Sequence, residues 1–532
     1  MAEKGKQSER AASQKRTDGG SVFTHIVISV LVLAVLALGL LLFMAKHGLI
    51  FSSAPAQPQE AARYTLTCYI PDAAPITVSA EAGTSVSVPE APQIDGYTFL
   101  GWADAGGNVS LPDEIVLNLD VELSARYAIA FRDESGESEH GAYMFLDDGG
   151  YFHPSAGMLR GETVEIIYSI LDTEAVGSGK FADVQKSDSF YRAAATLKDL
   201  GVIGGSRLHP DEPMTYRELF EILACFFPRS GESFSFENIP ESDADYPAFC
   251  LAVSRGWIED LSILPDGDIP RGEAAHIFNL LRGRRAPADI STAMVGTILD
   301  VSARDRYYAD IAEAVIDHGC VSAEGGEKWI SSKPLELREE GFFFVDAALH
   351  YIDDTGSAYV NESLGGITFG SDGAVTTGVP ELDLLVRAKL LELMDFDKMT
   401  REQMLRNAYD YVTYHNSYLR ANYYETGETG WENDEAYRML TTGKGNCYCF
   451  AAEFAVLAKA LGYDAKCYSG TIGVGRQKHG WVEIDFDGVT YVFDPNIEYE
   501  EHIYMHRTTC MYRLPPDRVT GWYYAKEAPA ET

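Results

Sequence analysis

Hydrophobic and polar positions change their period several times along the 532-residue chain, and each change predicts an element. Residues 22–45 are apolar apart from Thr24, His25, Ser29 and Gly39, a run long enough to cross about 30 Å of hydrocarbon as a helix. From 64 to 127 short runs alternate polar and apolar positions between Gly and Pro, so 64–69 and 115–127 read as strands. Spacing then turns helical, as in Ala194, Leu197 and Leu200, and later in Met404, Ala408, Tyr411 and Val412. Residues 478–486 alternate once more, Asp487-Gly488 is a two-residue hairpin turn, and 489–493 is the returning strand.

Internal repetition organises the middle of the chain. Phe181-Ala182-Asp183-Val184 is followed at fixed offsets by Tyr191, Gly201 and Thr215-Tyr216-Arg217-Glu218. Phe236-Glu237-Asn238-Ile239 is followed at the same offsets by Tyr246, Gly256 and Pro270-Arg271-Gly272-Glu273. Ile298-Leu299-Asp300-Val301 starts a third copy that drifts and reaches Leu337-Arg338-Glu339-Glu340 late. Upstream, 140–154 and Leu159-Arg160-Gly161-Glu162 have the pattern of the second half of one more unit. Each unit reads as helix, loop, helix, with the tetrad opening the second helix and its Glu favouring the dipole.

This pattern resembles S-layer-homology repeats over roughly 137–353, in units near 137–172, 181–228, 236–284 and 298–350. The resemblance implies binding of an anionic, pyruvylated secondary cell-wall polymer through the tetrad arginines, carried here by Arg160, Arg271 and Arg338. Tyr216 stands where the second tetrad would have Arg, which puts that site in doubt. The plainer reading is that the repeats only pack on one another as a spacer.

The net charge of −37 disfavours non-specific nucleic-acid binding and suits a secreted ectodomain. Lys4, Lys6, Arg10, Lys15 and Arg16 precede the apolar run, so residues 1–21 are expected in the cytoplasm and the bulk of the chain outside. The run is either a signal-anchor or a cleaved signal peptide, since Ala54-Pro55-Ala56 loosely matches a cleavage site. Residues 46–62 read as a linker. Gly96-Tyr97-Thr98-Phe99-Leu100-Gly101-Trp102 resembles the signature of the Listeria–Bacteroides repeat, which implies a small β-grasp-like surface module over 63–128.

Eight cysteines are scattered without a disulfide framework or paired zinc-ligand spacing, so no metal or other cofactor is expected. Only Cys447 has a chemical context. In Gly445-Asn446-Cys447, Asn446 is a plausible N-cap, which puts Cys447 in the first turn of a helix carrying Phe454, Leu457, Ala458 and Leu461. Free N–H groups and the dipole there favour a thiolate. On the hairpin, Trp481 would pair with Asp494 and make His479 the diagonal neighbour of Asp494 on one face. A carboxylate, an imidazole and a thiol in that relation are an orienter, a base and a nucleophile. Cys449, about 200° round the helix from Cys447, is expected to face the core.

This segment resembles the transglutaminase-like, papain-like superfamily over about 378–499. The resemblance implies Cys447 as nucleophile, His479 as general base and acid, and Asp494 as orienter, with Trp431 and Trp481 as possible lining of the site. The backbone N–H of Cys447 is a physical candidate for oxyanion donor. The expected architecture is multidomain: a transmembrane helix, a β-grasp-like module, all-α repeats, and an α+β papain-like transglutaminase core over 356–532. The expected function is thiol acyl transfer, either amide hydrolysis or transamidation, on a peptide or protein of the cell envelope. The chain would sit at the bacterial membrane through its N-terminal helix and on the wall through its repeats. The competing reading is a non-catalytic surface protein that uses the C-terminal fold to bind a partner.

Overall fold

The computed structural model describes residues 20–47 and 61–526. Gly20–Lys46 is a helix, with side chains described only from Leu31 on. Those from Leu31 to Phe43 are largely apolar and exposed. Part of the expected membrane run, 22–30, and the expected cytoplasmic segment 1–21 lie outside the described side chains. Among the described residues no helix is long and apolar enough to cross a membrane, so the expected single-pass anchor finds no support in the structure.

The strands of 63–128 divide between two compact units. In the smaller, Arg63–Tyr69 pairs antiparallel with Ile76–Glu81, and Thr84–Ser87 with Glu114–Leu117, burying Leu66, Cys68, Val86 and Leu117. In the larger, Tyr97–Ala103 pairs with Val109–Ser110 and Val121–Ile129. The register shifts between Phe99 and Gly101, where Gly101 has φ +136° and a Cβ would lie 2.7 Å from the Ser110 carbonyl. The glycine of the Gly-Trp pair is therefore required by a bulge.

The repeats of the larger unit form a closed ring around one apolar core. Tetrad helices Arg160–Ile170, Tyr216–Ala224 and Arg271–Arg282 pack respectively on Tyr191–Asp199, Tyr246–Ser254 and Tyr308–Val315. Three backbone bonds close the circle: Arg160 N–H to Glu212 O, Tyr216 N–H to Gly267 O, and Arg271 N–H to Ala156 O. Side chains repeat the cycle. Arg160 reaches Glu218 (2.7 Å), the Tyr216 hydroxyl reaches Glu273 (2.7 Å), and Arg271 reaches Glu162. Tyr216 thus keeps the ring contact with a neutral donor where its counterparts use guanidinium.

The two incomplete end units complement each other. Asp183 accepts from the N–H groups of Leu208 and His209 in its own unit, both at 2.9 Å. Its counterpart Asp300 accepts from Phe152 (2.8 Å) and His153 (2.7 Å), at the other end of the ring. Through Asp300 the half-unit that carries Tyr308–Val315 is joined to the half-unit that opens Arg160–Ile170, and strands rather than a second helix follow it. The expected all-α form of the last unit is therefore corrected. The strands His318–Ala323, Gly326–Ser332, Gly341–Val345 and Ala348–Ile352 follow Tyr308–Val315, and Leu337–Arg338–Glu339–Glu340 opens no helix. Gly319, Gly325-Gly326 and Pro334 break a helix there, and Phe342 to Phe344 suit a strand.

In the C-terminal region, Pro380–Leu393, Arg401–His415, Glu432–Thr442 and Pro495–Ile503 surround the helix Cys447–Ala460, which is buried from Cys447 to Ala458. A three-stranded antiparallel sheet, Lys466–Ile472, Gln477–Phe486, Val489–Phe493, packs on that helix with Gln477–Phe486 in the centre.

Candidate active site

Three elements converge at the start of the buried helix. Asn446 caps it: Oδ1 accepts from the Tyr448 N–H at 3.2 Å, and Nδ2 donates to the Asn422 carbonyl at 2.6 Å. Cys447 is the first helical residue, so its N–H has no intrahelical partner. The sheet register ends at Val482 opposite Phe493, and extended by one residue it sets Asp494 opposite Trp481 and diagonal to His479. His479 Nε2 lies 2.7 Å from Asp494 Oδ2, and the Cys447 sulfur lies beside the same ring.

Gly480 permits this approach. A Cβ there would lie 2.7 Å from the Tyr448 ring and 3.1 Å from its Cα, so only glycine lets the His479 strand press on the first turn of the Cys447 helix. Cys447, His479 and Asp494 are all buried. Burial opposes protonation of His479, but the Asp494 carboxylate and the Cys447 sulfur beside it hold its pKa well above the ordinary imidazole value.

Asp494 Oδ1 accepts from the Ile497 N–H at 3.0 Å, capping Pro495–Ile503. Its Oδ2 takes a second donor, the Tyr524 hydroxyl at 2.6 Å. Burial and that carboxylate push the Tyr524 phenol far up, so it stays a donor. Tyr524 arrives from the C-terminal segment, where Ala525 and Thr471 exchange both backbone bonds at the sheet edge. Sequence reasoning missed Tyr524; the aromatic run Trp522-Tyr523-Tyr524 was its only trace.

The loop between Tyr418 and Trp431 is tied across the helix start. Ser417–Tyr418 pairs parallel with Lys444–Gly445, the Tyr448 hydroxyl donates to the Tyr424 carbonyl at 3.2 Å, and Tyr418 and Tyr423 hydroxyls meet at 3.2 Å. Buried Glu435, also missed, anchors this loop by accepting from Asn422 (3.0 Å) and Tyr424 (2.6 Å). It also accepts from the Cys449 thiol at 2.8 Å. Burial and Glu435 push that thiol far up, in keeping with a structural role for Cys449.

Trp431 stacks on Tyr424 at 5.1 Å and meets the Tyr448 ring edge-on at 5.2 Å. Trp481 is fully buried, 5.0 Å from the Tyr524 ring, with Nε1 donating to Glu483. Trp431 thus packs on the Tyr448 ring next to Cys447, and Trp481 on the Tyr524 ring that also lies beside His479.

The tetrad arginines lie elsewhere. Arg160 is held by Glu218 and by Glu212 at 3.0 Å, beside a cleft that also carries Arg207 and His209. Arg271 binds Glu162 and donates to the Phe152 carbonyl at 3.0 Å. Arg338 lies over the Phe343 ring at 4.4 Å, outside any helix start.

The family model of the transglutaminase-like superfamily matches residues 397–495, and that of the S-layer homology domain matches residues 180–220. The chain carries a transglutaminase-like domain and an S-layer homology domain. The β module of 63–128 is matched by neither. No curated protein matches the chain. Among solved structures, it is similar to a protein from Cytophaga hutchinsonii described as a "putative cysteine protease". Identity is 19%, with 27% of this chain and 41% of that chain covered, at a TM-score of 0.19. The S-layer homology domain supports association with the cell surface, and the transglutaminase-like domain supports a thiol-dependent hydrolase or transferase.

Proposed function

We propose that the C-terminal domain is an acyl-transfer enzyme of the cell envelope in which Cys447 attacks an amide carbonyl. The observation that carries this reading is the buried group of thiol, imidazole and carboxylate, with His479 Nε2 2.7 Å from Asp494 Oδ2 and the Cys447 sulfur beside the same ring. The sulfur adds to the carbonyl carbon while the Cys447 N–H, at the helix start, faces the developing oxyanion. His479 then gives its proton to the departing amine, leaving a thioester. Water or a second amine, deprotonated by His479, cleaves the thioester, giving hydrolysis or a cross-link. Asp494 fixes the ring orientation and favours the imidazolium throughout. Trp431 supports the tyrosine wall, and Trp481 supports Tyr524.

The repeats hold the enzyme near its substrate by binding the secondary cell-wall polymer. Arg160, beside its cleft, is the best-supported contact; Arg271 and Arg338 are weaker ones. An anionic polymer would compete with Glu212 and Glu218 for the Arg160 guanidinium. The substrate class is a peptide or protein of the envelope.

The test is labelling of the purified chain with a thiol-reactive amide mimic from mildly acidic to mildly alkaline pH. Selective labelling at Cys447, lost in Cys447→Ala and slowed in His479→Ala, is the expected result. Labelling no faster than that of an ordinary thiol, unchanged by His479→Ala, would refute the enzyme.

A further inference from the structure

The seam of the repeat ring gathers four side chains that the sequence keeps far apart. His140, His318, Cys320 and Glu327 bring one ligand atom each within 4.8 Å of one another. They come from a three-stranded sheet in which Glu139–His140 and Gly326–Ser332 flank His318–Ala323. The register sets His140 opposite His318 and Glu327 opposite Ser322. Opposed residues, and residues two apart on a strand, share a face, so all four side chains project to the same side. That side is covered by Tyr308–Val315 through Glu313, which is fully buried.

The hydrogen bonds set the tautomers. His318 Nδ1 lies 2.8 Å from the Ile316 carbonyl, which can only accept, so Nδ1 carries the proton. Its Nε2 then presents a lone pair to the cluster. That atom is buried and makes no hydrogen bond, although Glu313 Oε2 is 3.2 Å away. His140 Nε2 lies 3.2 Å from the Glu134 carbonyl and is likewise the protonated nitrogen. Its Nδ1 then faces Glu313 at 3.0 Å and Glu327 at 3.3 Å, and the Cys320 sulfur lies 3.8 Å from both ring nitrogens. Glu134 is already matched by Arg282 at 2.8 Å and Arg284 at 2.6 Å. Two imidazole lone pairs aimed at carboxylates repel them unless each ring takes a second proton or a cation lies between.

We propose that this cluster binds one zinc-class divalent cation, with His140 Nδ1, His318 Nε2, Cys320 Sγ and a Glu327 oxygen as ligands. Mixed nitrogen, sulfur and carboxylate donors suit zinc, and four protein ligands make a closed, structural site. Bonds of about 2.0–2.3 Å put tetrahedral ligand atoms roughly 3.3–3.8 Å apart, so the atoms need only close up modestly. Binding releases the Cys320 thiol proton to solvent; one thiolate and the Glu327 carboxylate then balance the cation, while Glu313 stays matched by Arg284, 3.6 Å away, and by the Trp329 N–H. The two backbone carbonyls supply the outer contacts that orient ligating imidazoles. Trp329 stacks on His318 at 3.7 Å and donates Nε1–H to Glu313 at 3.1 Å, shielding one side. On the other, a cleft of about 380 Å³ lined in part by His140 and His318 gives an entry path.

The position explains the use. His140 precedes the ring and the other three ligands follow its last helix, so the ion clasps the two ends where the final repeat has lost its own second helix.

The test uses the full chain purified without chelators. We expect one zinc per chain by elemental analysis, retained through dialysis. Cobalt in its place should give tetrahedral visible bands and a thiolate charge-transfer band. Cys320→Ser should abolish the charge-transfer band, Cys447→Ala should leave it intact, and Glu327→Gln at the partly exposed rim should weaken zinc affinity at least about 10-fold. Should Cys320→Ser fail to fold, Glu327→Gln and the wild-type cobalt spectrum still decide. No metal taken up, or a charge-transfer band unchanged in folded Cys320→Ser, or wild-type affinity in Glu327→Gln, would overturn the proposal and leave the cluster held by protons.

Discussion

Tyr524→Phe isolates one interaction of the proposed catalytic chain. The Tyr524 hydroxyl and His479 Nε2 donate to the same Asp494 oxygen, at 2.6 and 2.7 Å, and Asp494 is fully buried. Phenylalanine keeps the ring against Trp481 and removes only the donor. A hydrogen bond to a charged acceptor contributes about 1.5–3 kcal/mol. If that whole contribution acts on the orientation of His479, the rate of thiol acylation falls roughly ten- to 150-fold. A carboxylate with one donor fewer leans harder on the imidazolium, so His479 keeps its proton to higher pH and the alkaline limb of the profile shifts upward. The assay is the second-order rate of labelling at Cys447 against pH, with folding checked by circular dichroism. A folded variant with wild-type rate and unmoved pH profile would refute the reasoning. Lower thermal stability with an unmoved profile would reduce Tyr524 to a packing residue.

Gly480→Ala sets a methyl group 2.7 Å from the Tyr448 ring, and its labelling rate should fall by at least about tenfold as the His479 strand lifts away. Buried Glu453 is pushed up to about 8 from 4.5 by burial, against the Asn416 amide that bonds its carboxylate. The native state therefore holds a proton that the unfolded chain releases, so stability is full below the ordinary value and falls as pH rises toward 8. The loss is about 3 kcal/mol by neutral pH, and Glu453→Gln should flatten that slope in urea melts at several pH values; an unchanged slope would count against it. Alkylation followed by peptide mapping should find Cys447 modified in the native protein and Cys449 only after unfolding; early Cys449 labelling would break the assignment. Arg160→Ala removes the ring contact to Glu218 and Glu212 and should cost about 1–2 kcal/mol by denaturant midpoint, given its partial exposure. No loss would mean that the backbone ladder alone closes the ring.

The sequence by itself determined the local chemistry. Asn446 caps a helix because its side chain can reach the N–H of Tyr448, and the apolar spacing after Cys447 buries that helix whatever surrounds it. Asp487-Gly488 fixes a hairpin, and a fixed hairpin dictates that His479 and Asp494 share a face. The repeats were legible for the same reason, since identical offsets require identical units. Tertiary structure decided what depends on distant segments. Tyr524 reaches Asp494 only because Ala525 pairs with Thr471 at the sheet edge, and no local pattern encodes that pairing. The half-unit at 140–170 finds its missing helix at Tyr308–Val315 through Asp300, a closure that linear offsets cannot express. The last repeat turned to strands once Gly and Pro broke its helix, moving Arg338 away from a tetrad position. His140, His318, Cys320 and Glu327 have no metal-ligand spacing in sequence and meet only because ring closure lays their strands side by side.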